Sequence, residues 1–505
     1  MPHRYIKKIL SANVYDVAVE TPVELARSLS KRLANNILIK REDLQPVFSF
    51  KIRGAYNCIS QLTQVQRACG VVCASAGNHA QGVAMSAKYL GINATIVMPN
   101  TTPDIKVNAV RSLGAKVILH GDSFAQAYAY SLTLVADLGL VYIHPFDDEN
   151  VIAGQGTVAV ELMRQIQGNI DAVFVPVGGG GLIAGIAVYI KYLRPDIKII
   201  GVEPEDSCCL KVALDAGERV ILPEVGTFAE GVAVAQIGEL TFELAQQYVD
   251  EVITVTTDEL CAAIKDIYDD TRAVTEPSGA CALAGLKKYV EREQAQDQTL
   301  VAVATGANMN FDRLRHVAER AEIGEGREAI IAAQIPEQPG SFKRFCTALG
   351  ERNITEFNYR YGNNSKAQVF VGVTLKAEEG GREPLLKQLA SHDIPAVDLS
   401  TNEMAKSHVR YMVGGHASVD NEVVYRFTFP ERPGALLKFL NKLGQPWNIS
   451  MFHYRNHGSA YGRVLVAMQV PEEEKAKFEG YLDELGYAFN EETNNPAYQL
   501  FLAPE

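Results

Sequence analysis

Between about Gly70 and Arg320, short runs of consecutive apolar residues alternate with longer stretches whose apolar positions recur at helical spacing. The runs Thr95–Met98, Val117–Leu119, Ala172–Val177, Lys198–Glu203, Val252–Val255 and Leu300–Ala304 are short and rich in β-branched residues, so they predict strands. Ala80–Leu90, Asp104–Leu113 and Gly181–Leu193 lie between them and read as helices. Apolar strands separated by helices predict parallel sheets covered on both faces, with ligands at the carboxyl ends of the strands.

After about Gly326 the texture changes and the chain repeats itself. Ile335-Pro336-Glu337-Gln338-Pro339-Gly340 is echoed 94 residues later by Phe429-Pro430-Glu431-Arg432-Pro433-Gly434, and Phe357-Asn358-Tyr359-Arg360 is echoed 95 residues later by Phe452-His453-Tyr454-Arg455. Each copy reads β-α-β-β-α-β, the split βαβ order, so the pattern predicts a duplicated α/β module. The expected layout is a first domain over 1–320, modules over 328–401 and 422–495, linkers at 321–327 and 402–421, and a tail at 496–505.

Composition narrows the function. The 505 residues are 47% hydrophobic and 21% charged, ordinary for a globular protein and too many for one core. The net charge is −12 and no Lys/Arg run exceeds a pair, which argues against nucleic acid and favours a small-molecule ligand. Cys58, Cys69, Cys73, Cys208, Cys209, Cys261, Cys281 and Cys346 form no C-x-x-C pair and read as reduced thiols, the pattern of a cytoplasmic protein without a cysteine metal site. Nothing near Met1 resembles a signal peptide. Ala172–Ile190 holds 19 residues without a charge, but Pro176 and Gly178–Gly181 would break a membrane helix. A soluble chain is expected.

Several segments carry candidate chemistry. Ser49-Phe50-Lys51-Ile52-Arg53-Gly54 sets a lysine in an apolar context ahead of a helix, and burial favours the neutral, nucleophilic amine. Lowering an amine pKa by about three units costs roughly 4 kcal/mol, which the fold must supply. Ser75-Ala76-Gly77-Asn78-His79 opens a helix, where free amides suit a carboxylate; His79 reads as a packing residue. Gly178-Gly179-Gly180-Gly181-Leu182 joins strand to helix, and its amides can wrap a phosphate. Read from Gly179, the same run satisfies G-x-G-x-x-A with Glu203 24 residues on, so a dinucleotide remains open locally. Thr305 sits at a strand's carboxyl end, and Glu276-Pro277-Ser278-Gly279 reads as a helix cap in preference to a site wall.

In their order, these motifs resemble the fold type II (tryptophan-synthase-β-like) pyridoxal-phosphate enzymes. Ser75–Gly82 and His144-Pro145-Phe146-Asp147-Asp148 resemble the serine/threonine dehydratase branch. The duplicated region, Arg410–Gly415 and Trp447–Ser450 resemble the ACT-like (ferredoxin-like) pair of the biosynthetic threonine deaminases. A dinucleotide reading accounts for one motif only. The resemblance implies two open, twisted, mostly parallel sheets followed by two regulatory modules. It implies pyridoxal 5'-phosphate bound to the Lys51 amine, Asn78 on the ring hydroxyl, Gly178–Gly181 and Leu182 around the phosphate, and Ser75 to His79 on the substrate carboxylate. Thr305 stands where the branch usually has a serine beside the ring nitrogen. The implied activity converts L-threonine, and L-serine, to a 2-oxo acid and ammonia at the first committed step of isoleucine synthesis. The resemblance also implies a cytoplasmic homotetramer, inhibited by isoleucine and activated by valine. Leu436, Leu440 and Leu443 share one helix face and are candidates for effector contact or for packing on their own sheet.

Overall fold

The structure is a computed structural model that describes residues 2–336, 341–350, 352, 354–361, 366–375, 380–411, 420–430, 447–455 and 461–503. Contacts divide the chain into two compact units, Met1–Ala321 and Glu322–Glu505.

The first unit contains β1 (Val23–Leu25), β2 (Asn36–Arg41), β3 (Val71–Ala74), β4 (Ala94–Met98), β5 (Lys116–Leu119), β6 (Val141–Tyr142), β7 (Ala172–Pro176), β8 (Lys198–Pro204), β9 (Glu251–Val255) and β10 (Thr299–Ala304). They form a six-stranded sheet, β1-β2-β10-β7-β8-β9, and a four-stranded sheet, β5-β4-β3-β6. Every pairing is parallel except β1 with β2. Every residue of β3 and β7 is buried, as strands covered on both faces require.

The apolar pattern does not mark β2, because Lys40 and Arg41 end it with two charges. Both are buried. Lys40 Nζ donates to Glu161 Oε2 at 2.5 Å, and Arg53 bridges Glu42 and Glu161 at 2.7 and 2.6 Å. All four side chains in that set are fully buried, so removing one would strand the others without a counter-charge, at a cost of about 3–5 kcal/mol. Arg53 lies two residues beyond Lys51 on the helix Lys51–Ser60, so this network anchors the segment that carries the candidate lysine.

The second unit repeats one topology. The first copy holds β11 (Glu328–Pro336), β12 (Ile354–Tyr361), β13 (Lys366–Thr374) and β14 (Ala396–Asp398), ordered β12-β13-β11-β14. The second holds β15 (Glu422–Pro430), β16 (Asn448–Arg455), β17 (Tyr461–Gln469) and β18 (Ala488–Glu491), ordered β16-β17-β15-β18. Both copies carry an irregularity in the same strand pair, between Ile354 and Glu356 and between Ile449 and Met451.

Period-two alternation sends the two faces of each central strand to different cores. In the first copy Ala329, Ile331 and Ala333 face its own helices with Phe345 and Leu385. In the second, Val423, Tyr425 and Phe427 pack with Trp447 and Phe478. The opposite faces, Ile330, Ala332, Val424 and Leu465, meet in a shared core with Met404 and Tyr498. Residues 402–421 and 496–505, expected as linker and tail, thereby contribute the helices Glu403–Ser407 and Pro496–Phe501 to that core. Leu436, Leu440 and Leu443 lie outside the described residues.

Candidate active site

The helix Lys51–Ser60 begins at Lys51, directly after a segment held to the end of β10 by Phe50 N–H on Thr305 O at 3.2 Å. This start aims the lysine into a cleft at the carboxyl ends of β3, β7 and β10. Lys51, Asn78, Gly178, Gly179, Gly180, Gly181, Leu182 and Thr305 all line it, joined by Phe50, Phe146 and Glu276. Lys51 Nζ donates to Pro145 O at 3.0 Å. Burial lowers its pKa from the ordinary 10.5 to about 8, against the opposing pull of the Glu276 charge.

That shift makes a kinetic prediction. An aldehyde is captured by the neutral amine, whose fraction rises about tenfold per pH unit below the pKa. The rate at which the cofactor-free protein combines with pyridoxal phosphate should therefore climb with pH and level off near 8. Stopped-flow absorbance would show instead a climb continuing towards 10.5 if Lys51 were an ordinary solvated amine.

The glycine turn has room for no side chain. A Cβ on Gly179 would stand 2.1 Å from Phe146 Cδ1, and one on Gly178 2.9 Å from Val232 Cα. Gly180 has φ +89° and would place a Cβ 2.6 Å from Ile237 Cδ1. Thr241 Oγ1 donates to Gly179 O at 2.7 Å, tying the carbonyl side down. Among the described residues, the amides of Gly179, Gly180, Gly181 and Leu182 have no acceptor. They stand at the start of the helix Gly181–Leu193, where the dipole favours an anion. A buried amine, the Phe146 ring and a cradle of free amides in one cleft fit an aromatic aldehyde that carries a phosphate.

The segment His144–Asp148 builds this wall. His144 Nδ1 accepts from Asp147 N–H at 2.7 Å, Pro145 offers its carbonyl to Lys51, and the Phe146 ring packs beneath Gly179. Asp147 Oδ1 accepts from Leu240 N–H at 2.9 Å, fixing the helix that carries Thr241. Asp148 caps the helix Glu149–Gln165 through Asn150 N–H at 2.8 Å.

The dinucleotide alternative has no counterpart in the fold. Glu203 is buried and accepts from Leu210 and Lys211 N–H at 2.8 and 2.9 Å, so it caps the helix Cys209–Ala216 and is closed to a ribose.

Of the five residues from Ser75 to His79, only Asn78 lines the cleft. Ser75, Ala76 and Gly77 are half-buried in the preceding turn, where Gly77 N–H donates to Ser75 Oγ at 3.3 Å. His79 is buried with Nε2 2.9 Å from Ile143 O, and burial lowers its pKa to about 3, so it is a neutral packing residue. Thr305 is also buried and donates from Oγ1 to Ser278 O at 3.2 Å.

Glu276 departs from the expectation of a cap. It precedes the helix Pro277–Glu293, yet its carboxylate caps no amide. It points into the cleft and accepts from Asn78 Nδ2 at 2.6 Å and Ser278 Oγ at 2.8 Å. The Asn78 amide and the Ser278 hydroxyl take the carboxylate in place of the first-turn N–H groups that a capping side chain accepts from. Burial raises the Glu276 pKa. Gly231 and Val232, also in the wall, come from the short 3-10 helix Glu230–Val232, which no local pattern in the sequence marks.

Residues 14–306 match the family described as pyridoxal-phosphate dependent enzyme, and residues 319–409 and 413–502 match the C-terminal regulatory domain of threonine dehydratase. The chain is 56% identical over 505 residues to the L-threonine dehydratase biosynthetic IlvA of Burkholderia multivorans, covering 99% of each chain. It is 55% identical over 500 residues to the protein of the same description from Escherichia coli, covering 99% of this chain and 97% of that one. The processed form of threonine deaminase isoform 2 from Solanum lycopersicum is similar with a TM-score of 0.62 at 51% identity, over 63% of this chain and 93% of that one. Serine racemase from Dictyostelium discoideum is similar with a TM-score of 0.56 at 32% identity, over 61% of this chain and 98% of that one. Among the described residues, no helix is long and apolar enough to cross a membrane. A cleft suited to a phosphorylated aldehyde, and identity that runs through both the catalytic and the regulatory regions, lead to one conclusion: the chain belongs to the biosynthetic threonine dehydratases, pyridoxal-phosphate enzymes with a C-terminal regulatory domain.

Proposed function

We infer that the Lys51 cleft is where L-threonine, with L-serine as a second substrate, is dehydrated and deaminated to 2-oxobutanoate (pyruvate from serine) and ammonia. The observation that carries this reading is the meeting, in one cleft, of a buried low-pKa amine and a turn of free glycine amides. Pyridoxal phosphate bound there would supply an electrophilic aldehyde and a ring that withdraws electrons from the substrate's α-carbon.

The chain's own groups do the rest. Lys51 would hold the aldehyde, and its amine is placed to take the proton from the substrate's Cα. Gly178–Gly181 and Leu182 would hold the phosphate through backbone amides, leaving no flexible cation in the cradle. Asn78 would donate to the ring oxygen. Thr305, whose hydroxyl donates to Ser278 O, would present the ring nitrogen with a neutral oxygen in place of a carboxylate, which would leave that nitrogen weakly basic and favour elimination over transamination. Ser75–Gly77 and the amides at the start of the helix Asn78–Leu90 would receive the substrate carboxylate. A ketoacid assay with threonine and with serine tests the reading; a colourless protein inactive on both would overturn it.

The second unit is read as the sensor of a cytoplasmic homotetramer, with isoleucine as inhibitor and valine as activator. Two back-to-back modules with a shared core support an effector response transmitted within the pair. A coupling of about 1–3 kcal/mol would change apparent threonine affinity about 5- to 150-fold. A chain ending at Glu325 should keep dehydrating threonine but lose its response to isoleucine. Unchanged inhibition of that shortened enzyme would move the sensor into the first unit.

A further inference from the structure

Asn78 is held at both ends of its amide. Its Oδ1 accepts from Asn308 Nδ2 at 2.7 Å, and its Nδ2 donates to Glu276 Oε1 at 2.6 Å. The direction of this chain is set from outside. Asn308 Nδ2 also donates to the carbonyl of Val47 at 2.8 Å, and a backbone carbonyl can only accept. The two hydrogens of Asn308 are therefore committed, one to Val47 and one to Asn78. At the other end Glu276 takes a second donor, Ser278 Oγ, on the same oxygen.

Glu276 is buried and, among the described residues, has no ion pair that would otherwise account for a carboxylate there. Lys51 makes its hydrogen bond to Pro145 O, and Lys106 is paired with Glu230, which also binds Arg313 at 2.5 Å. A buried carboxylate without a paired cation is costly, so its donors matter to it as much as it matters to them. The amide of Asn78 has two hydrogens. One goes to Glu276; the other has no acceptor among the described residues, and Asn78 lines the cleft.

We propose that Glu276 is a positioning residue which, together with Asn308, fixes the polarity of the Asn78 amide so that an N–H, never the C=O, faces the ring oxygen of the cofactor. With the amide reversed, two oxygens would oppose each other in a site shielded from water. The inference rests on the reading that Asn78 meets the cofactor ring, and it adds a residue that acts on binding through another side chain.

The test is the affinity of the cofactor-free protein for pyridoxal phosphate, read by absorbance titration, with the melting temperature of each cofactor-free variant as the folding control. Glu276→Met keeps the length of the side chain but removes the acceptor, and should bind about 10- to 100-fold more weakly, the loss expected for a charged hydrogen bond. Glu276→Gln retains an acceptor oxygen and should restore affinity to within about threefold of the parent, a rescue that packing alone would not distinguish from Met. Asn308→Ala loosens the other end of Asn78 and should weaken binding about tenfold, independently of how well Glu276→Met folds. Parent-like affinity in Glu276→Met or Asn308→Ala would overturn the proposal. Glu276→Gln as weak as Glu276→Met would overturn it too, since charge and not the acceptor would then govern. Failure of the parent chain itself to bind would instead overturn the reading of the cleft.

Discussion

Replacing Lys51 with alanine should reduce ketoacid formation by about four orders of magnitude or more, because one amine serves both as covalent anchor and as base. The visible absorption of the bound cofactor should disappear in the same variant. The fold should survive. The side chain makes one hydrogen bond, to Pro145 O, and its ammonium form is disfavoured by burial, so removing it releases strain in place of adding it. Lys51→Arg separates charge from nucleophilicity: the cation remains, the reactive amine is gone, and activity should stay absent. Parallel melting curves establish that loss of turnover is not loss of fold. Either variant retaining ketoacid production within about tenfold of the parent would contradict a proton-transferring lysine, whose removal costs at least ~10²-fold.

A methyl group on Gly179 should have the second largest effect. Its Cβ would fall among the ring carbons of Phe146, 2.1 to 2.3 Å away, so the ring must leave its place. Phe146 cannot move alone. It sits between Pro145, whose carbonyl holds Lys51, and Asp147, whose carboxylate fixes the helix carrying Thr241. Overpacking of this kind costs roughly 1–3 kcal/mol. If most of that falls on the bound state, cofactor affinity drops about 5- to 150-fold. Gly179→Ala with unaltered affinity in an absorbance titration would show that the turn does not receive the phosphate.

The parts of this protein readable along the chain are those written in short-range geometry. A four-glycine run between an apolar strand and an apolar helix announces its turn because no other residue tolerates that path. The parallel sheets are announced by strands apolar at every position, and the duplicated module by the echo of Pro-x-x-Pro-Gly and the aromatic strand that follows it. Lys51 could be singled out because its surroundings in sequence are apolar, which is a local clue to burial.

What the chain order leaves open is which charged groups lose their water, and to whom they turn. Glu276 reads as a cap from its neighbours, and only the approach of Asn78, 198 residues away, makes it part of the cleft. The Lys51 amine is received by a carbonyl 94 residues on, and its lowered pKa exists only once both sheets enclose it. Lys40 and Arg53 look like surface charges until Glu161, more than a hundred positions on, completes their pairing. Periodicity and chain stiffness act over a few residues and can be read in order; desolvation and hydrogen-bond partnership depend on what packs above a group, which the chain determines only by folding.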